Sequence, residues 1–436
     1  MERQKEQAFR EKPSGMKLFR GLLLLGILFV VIDGALPQLQ MLLLGGRVII
    51  GLLPLKVFMA ISLIGFALYR PRKQQQVLTV VSLAFAGYLL VDILHLWLGL
   101  ELPAIDLFGG YWVYYSSFLL VFLAGCSVLE ISEKGIIRFL IFLFFICAAI
   151  GIAQYLTGRT LLPTRSSDGS FTVGAVGFLG VTRVFSLFIF PGTFGIFCVF
   201  MTGLFLSMPV RGMRFAGWIV LAALASAVCY TTLIRSCYLE LIATVFSVAV
   251  LRMRPRSLFA PLLPVAGILL GLAVIAKNLL FGAVAGSGVT DSSSFIARLL
   301  EWRYYADVAF SGSFVNMMFG EGIVQSERVA TGSSVAPVDN IFLSYPLHIG
   351  VVGLLLVLAF YVVIWLDLLA KVKRLNRPID IAVAALWSST LCLGLYSIDI
   401  PAVATYLLLT YISYPREPSS VKEAFIEEGI PVSVTG

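Results

Sequence analysis

Charge is scarce in this chain. Asp, Glu, Lys and Arg make up 13% of its 436 residues, about half the share of an average soluble domain. Histidine is scarcer still, with only His95 and His348 to offer imidazole. Six cysteines are present, Cys126, Cys147, Cys198, Cys229, Cys237 and Cys392, all in or beside apolar runs and none in a C-x-x-C pair. That pattern argues against structural zinc and against a disulfide framework. It suits cysteine used as a small buried apolar residue. The chain also lacks G-x-x-x-x-G-K-[ST], H-E-x-x-H and G-x-S-x-G, which removes the usual signs of a phosphate loop, a zinc protease and a nucleophile elbow. No D-x-D pair is present to hold a nucleotide-sugar through a divalent ion. No cofactor and no metal is expected.

Apolar residues are what the chain has instead. They account for 59% of it, with a mean hydropathy of +0.96. Runs of about 17–25 such residues, long enough to cross a bilayer, recur from end to end. They fall at about 19–44, 48–69, 76–98, 112–129, 136–156, 185–208, 215–232, 235–251, 258–277, 341–366, 379–397 and 399–414. The expected fold is an all-α polytopic membrane protein with about 12 transmembrane helices. Residues 1–414 form a single membrane domain and 415–436 a polar, cytoplasmic, largely disordered tail. The polar, basic start and the apolar stretch Gly21–Ile32 resemble a signal peptide. No small-x-small cleavage site follows before Asp33, so a retained signal anchor is expected. Asp33, Gly34 and Pro37 interrupt the first run and kink or end it.

The formal net charge of +8 invites a nucleic-acid reading, but its distribution argues against one. The basic residues sit in short clusters between apolar runs, not on one stripe or tail. With the N-terminus inside, 22 of the 32 Lys and Arg fall on inner segments: those before the first run, around Arg70–Lys73, Lys134 and Arg138, Arg211 and Arg214, Arg252–Arg256, Lys371–Arg377, and after the last run. Every inner loop is then basic, as the positive-inside rule requires, and both termini are cytoplasmic.

Two outer segments are long, at about 157–184 and 278–340. The second, between the ninth and tenth runs, is the largest non-membrane piece. It is rich in Gly and Ser at its start and near its end, and carries IARLLEWRYYADVAF between them. Apolar residues at helical spacing with interleaved charge predict a short amphipathic helix at the outer interface. Long loops in compact proteins are functional or disordered. No internal or inverted repeat is evident.

Charges at membrane depth are costly, so each asks for a reason. Arg183 precedes the sixth run, Arg235 opens the eighth, and Arg298 and Arg303 lie in the amphipathic segment. Arginines converging at one face would grip the oxygens of an anionic headgroup or diphosphate; separate interfacial anchors would need no convergence. Glu240 follows Arg235 by a turn and a half and is within reach of an intrahelical ion pair. Asp339 and Asn340 open the tenth run, and either makes a good N-cap. His348, two turns deeper, reads as a packed polar residue. Asp92 and His95, at i,i+3, can touch as a satisfied pair or act as a proton relay, with Glu101 beyond them. Asp367 and Asp380 border a basic inner loop and need no special account.

Four of these stretches match a family pattern in order. TRVFSLFIFPGTFGIF, TTLIRSCYLELIA, ARLLEWRYYADVAFSGSFVNMMFGEGI and VDNIFLSYPLHIGVVGLLLVL resemble the O-antigen ligase and O-antigen polymerase superfamily of bacterial membrane glycosyltransferases. The resemblance covers roughly 182–358; the first half matches only in hydropathy and span count. It implies the C-type glycosyltransferase membrane fold. It also implies transfer of a glycan from an undecaprenyl-diphosphate-linked donor on the periplasmic side of the bacterial inner membrane. Arg183, Arg235 and Arg298 match the arginines that hold the diphosphate, with Arg303 beside them. Asp339 and Arg298 would be catalytic, with Asn340 and Glu240 supporting. Such chemistry needs no metal, because the diphosphate already activates the sugar and arginines neutralise it as it leaves.

Ligase members carry His where this chain has Asp339. Asp is a weaker base, and Asp-Asn fits polymerase members better. The expected partners are the lipid-linked oligosaccharide, membrane lipids and a chain-length regulator protein. Two other readings stay open: a ligase acting on a lipid or protein acceptor, and a flippase for the same lipid-linked sugars, whose motive is Asp92, His95 and Glu240.

Overall fold

The computed structural model describes residues 14–31, 39–40, 43, 52–69, 76–100, 104–126, 131–159, 164–165, 171–172, 177–178, 181–188, 190–209, 213–253, 259–282, 302–310, 313–320, 322, 340–394 and 400–414. It is an all-α protein of membrane character. Each of the twelve apolar runs overlaps a helix among the described residues: α1 Ser14–Val31, α2 Leu52–Tyr69, α3 Gln76–Leu100, α4 Ala104–Cys126, α5 Glu133–Thr157, α6 Pro191–Ser207, α7 Met213–Thr231, α8 Arg235–Met253, α9 Leu263–Gly282, α12 Ile341–Leu375, α13 Pro378–Gly394 and α14 Ile400–Ile412. Between α9 and α12 the described residues include two short helices, α10 at 302–310 and α11 Phe314–Phe319. Among the described residues three helices, α5, α8 and α12, are long and apolar enough to cross a membrane by length and composition.

Helix ends follow local chemistry. Ser132 precedes α5, whose first turn carries Glu133, an acid at the positive end of the dipole. Gly158 closes α5 in the left-handed conformation. Pro191 stands at the start of α6, where its missing N–H costs nothing. This corrects the sixth run, expected from 185: residues 185–188 and 190 are not helical, and Ser186 has φ +53°. That segment is clamped to α5 instead, with the Ser186 amide donating to Gln154 Oε1 at 2.8 Å and its hydroxyl to the Cys147 carbonyl at 2.7 Å.

The interior is rich in phenylalanine, with Phe144, Phe188, Phe194, Phe197, Phe200 and Phe205 all fully buried. The outer surface is apolar as well: Leu68, Phe142, Leu156 and Val220 are exposed. Contiguous apolar surface of this kind fits a lipid solvent better than water. Five of the cysteines are buried and Cys126 is half-buried, all of them free thiols.

The helices α8 and α13 run antiparallel. Thr244 bonds to Ser389 at 2.9 Å and Ser388 donates to Ser247 at 2.8 Å, so sequence order reverses between them. Small polar residues of this kind let apolar helices approach closely. α12 and α13 form a hairpin closed by Asn376 in the left-handed region. Tyr361 and Trp387 fasten it: each donates its polar hydrogen to the other's carbonyl, at 2.6 and 3.2 Å, and their rings stack.

These directions sort the helix ends. α5, α7 and α13 finish where α6, α8 and α12 begin; this is called the Arg235 end below. At the opposite end, Asp367 and Asp380 are not mere loop borders. Arg377 grips both oxygens of Asp380 at 2.6 and 2.8 Å and donates to the Ser413 carbonyl at 3.1 Å. Asp367 pairs with Lys371 at 2.8 Å and accepts from the Tyr411 hydroxyl at 2.7 Å. The ammonium of Lys371 also lies 3.3 Å from the centre of the Tyr411 ring. The helix carrying Lys371 and Arg374 therefore continues to Leu375, past the expected end at 366. Ser413–Tyr414 pairs in parallel with Ile131–Ser132, tying the end of α14 to the start of α5.

Candidate functional site

Arg183 and Arg235 are brought to the same end of the bundle. The amide of Val184 donates to the carbonyl of Thr231 at 3.4 Å, and Arg235 follows after one tight turn. In that turn Leu233 takes φ +55°, an unusual conformation for a branched side chain. Thr232 is fully buried and its hydroxyl donates to the Cys229 carbonyl at 2.8 Å. The Tyr238 hydroxyl reaches back to the Tyr230 carbonyl at 2.8 Å, with the two rings stacked. Arg183 is half-buried and Arg235 is exposed.

Two helix N-termini face the same end. α6 starts at Pro191, eight residues after Arg183, and Arg235 is the first residue of α8. Their dipoles add positive potential to that of the guanidinium groups. Close packing holds the two helices together. The thiol of Cys237 reaches the Gly192 carbonyl at 3.6 Å, and that of Cys229 reaches the Gly195 carbonyl at 3.8 Å. A Cβ on residue 195 would lie 2.5 Å from Cys237 Sγ, so any larger residue would force the two helices or the thiol to shift.

Glu240 is fully buried on α8, one turn from Thr244 on the side toward Arg235. Asn340 belongs to the same end. It is the N-cap of α12, its side-chain oxygen accepting the Phe342 amide at 2.9 Å. The next residue, Ile341, packs where a Cβ on Gly394 would stand. Asn340 is 5% exposed, so the cap is sheltered from competing solvent.

Arg303 lies exposed on α10. On its inner face Tyr305, Val308 and Ala309 pack on Leu343 and Leu347 of α12. Arg303 therefore rides on the element that Asn340 caps. Arg298 and Asp339, as well as Glu101, lie outside the described residues. So does the side chain of His95, which leaves the Asp92–His95 pairing without a description; Asp92 itself is buried at 2% exposure.

What sequence reasoning missed is a break in α12. The tenth run, 341–366, is read from the sequence as a single span. Instead Gly350 takes φ +67° and ψ 178°, and Pro346 stands four residues before it. The segment after α11 lies across this break. Gly320 and Gly322 both have positive φ, and the Gly322 amide donates to the His348 carbonyl at 3.1 Å. A Cβ at 350 would run into the backbone of Met318, and one at 320 would lie 2.6 Å from the His348 carbonyl oxygen. The signal available in the sequence was the glycine spacing, Gly320-x-Gly322 and Gly350-x-x-Gly353, together with Pro346.

No protein-family model matches the chain, and no curated protein matches it.

Proposed function

We propose that this chain is a membrane glycosyltransferase of the polysaccharide-polymerase type. It would span the bacterial cytoplasmic membrane twelve times, with both termini inside and the Arg235 end outside. There it would transfer glycan from an undecaprenyl-diphosphate-linked donor to a sugar hydroxyl of a second lipid-linked unit.

One observation carries the reading. Arg183 and Arg235, far apart in sequence, are joined at one end of the bundle by the Val184–Thr231 bond, at the end where Asn340 starts α12. Positive charge gathered there, with two helix N-termini, supports an anion site for the departing diphosphate. Arg298 and Arg303 would complete it. Asp339 would take the proton of the acceptor hydroxyl.

A second feature fits a lipid-linked donor. An apolar cavity of about 210 Å³ opens between α3, α4 and α12, lined by Phe85, Leu89, Ile93, Phe118, Phe122 and Phe360. Such a lining suits a polyprenyl chain.

The broken α12 also favours a transporter, since discontinuous helices build many transport sites. In transporters the freed carbonyls face ions. Here the His348 and Ile349 carbonyls accept from Gly322 and Tyr88, which weighs toward an enzyme.

The test is direct. Purified protein in lipid is given undecaprenyl-diphosphate repeat units without added metal or nucleotide. A ladder of longer glycans with released lipid diphosphate, lost in Arg298→Ala, is the expected result. Transfer only after adding a lipid A or protein acceptor would mean a ligase. No transfer with any acceptor would favour the transporter.

A further inference from the structure

The break in α12 is filled from a distant helix. In an unbroken helix the Ile349 carbonyl would accept from the amide of Gly353. The Tyr88 hydroxyl of α3 donates to the Ile349 carbonyl, and the same hydroxyl faces the Gly353 amide. One phenol thus meets both the carbonyl and the amide that would pair across the break. The preceding carbonyl, of His348, is taken by Gly322. Pro346 has no amide hydrogen for the carbonyl one turn earlier. Helix continuity between 341–349 and 351–375 therefore depends on groups outside the helix.

The helices beside the break pack on the half-helix 341–349, whose Ile341, Tyr345 and Ile349 are also buried in the bundle core. α10 sits on Leu343 and Leu347. α11 ends at Gly320, folded against the His348 carbonyl and the Gly350 amide. Phe319 of α11 stacks on the Tyr88 ring, with 6.4 Å between centroids and 18° between planes. Tyr345 of the half-helix meets Tyr115 of α4 at 6.0 Å. The unit carries Asn340 at its tip and Arg303 on its flank.

We infer that α10, α11 and the half-helix 341–349 tilt as one body about Gly350, and that the Tyr88 hydroxyl is the latch that holds this body against the bundle. Tyr88 is then a positioning residue for the groups at the Arg235 end. Its effect on turnover rests on the proposed function; the hinge itself does not. With the latch formed, Asn340 and Arg303 stand in fixed register with the bundle. With it released, the half-helix has lost the Tyr88 donor at the break.

Tyr88→Phe keeps the ring on Phe319 and removes only the hydroxyl, so the variant is expected to insert and fold. Hydrogen exchange of full-length protein in lipid nanodiscs is the primary measurement. The expected result is exchange about tenfold faster across 341–349, with the long half 351–375 unchanged. Tyr238→Phe, which removes a phenol bond elsewhere, should leave 341–349 unchanged. Exchange in Tyr88→Phe equal to wild type across 341–349 would overturn the latch, as would a uniform rise over all of α12. On the lipid-linked donor, the variant should lose about tenfold in kcat with KM held, because a loosened unit misplaces groups without removing a binding contact. An equal kcat would overturn the positioning role. If wild-type protein fails to transfer any glycan, the glycosyltransferase reading falls, and the exchange data still decide the hinge.

Discussion

The amide of Val184 donates to the carbonyl of Thr231. Through this one backbone bond the segment bearing Arg183 is fixed beside the turn that presents Arg235. If these guanidinium groups hold a diphosphate, Arg183→Ala and Arg235→Ala should each slow glycan transfer by about 10²–10³-fold, the usual loss for one charge-stabilising donor. Lysine should restore little, because it lacks the planar two-pronged geometry. The check is the initial rate of lipid diphosphate release, at matched amounts of inserted protein. A rate within about twofold of wild type would remove the anion site.

The packing that holds those segments is tight at Gly195. Gly195→Ala places a methyl group 2.5 Å from Cys237 Sγ, and overpacking of this order costs about 1–3 kcal/mol. Cys237→Ala removes the sulfur, so the double variant should regain most of the lost stability. A double-mutant cycle on melting in detergent reads the coupling. Additive losses would mean that α6 and α8 do not meet here as described.

At the opposite end, Arg377 and Asp380 form a buried two-pronged ion pair. Removing one partner leaves an uncompensated buried charge, at a cost of about 3–5 kcal/mol. Arg377→Met and Asp380→Ala should each lower the melting temperature sharply. The double variant should be less harmed than the sum of the two. Its glycan transfer, measured below its melting point, should stay near wild type, because the pair lies at the far end from the arginines.

Asn340 caps α12 through its side-chain oxygen. Asn340→Asp keeps an acceptor there, whereas Asn340→Ala should lose about 1 kcal/mol of stability. Comparing melting with turnover separates the cap from chemistry. If Asn340 acts only as a cap, Asp should retain both stability and activity. Stability retained with activity lost would give the side-chain amide a role in binding or transfer.

The twelve apolar runs each became a helix because hydropathy alone decides which segments avoid water, and a backbone without water must satisfy itself internally. Arg183, Arg235 and Asn340 were legible as candidates because a charge or cap at the edge of an apolar run stands out against its surroundings. Their meeting was not legible, since it depends on which helices pack together. The onset of α6 was misplaced because the stretch from 185 is as apolar as a helix, while the amide and hydroxyl of Ser186 bond to α5 in a conformation that is not helical. Asp367 and Asp380 were passed over because a carboxylate near a basic cluster is usually solvated. Only their burial beside Lys371 and Arg377 gives them a structural part.

By itself the sequence determined the class of the protein: a chain of apolar helices, with its few charges gathered near their ends. Those features are local, since each follows from the transfer energy of a short segment and the type of residue that bounds it. The tertiary structure alone decided that α12 breaks at Gly350, and that a phenol from α3 fills the gap. Glycine and proline permit such a break but do not require it. What accompanies it is the backbone of Met318, Phe319, Gly320 and Gly322 packed against His348 and Gly350, a contact between segments about thirty residues apart that no local pattern specifies.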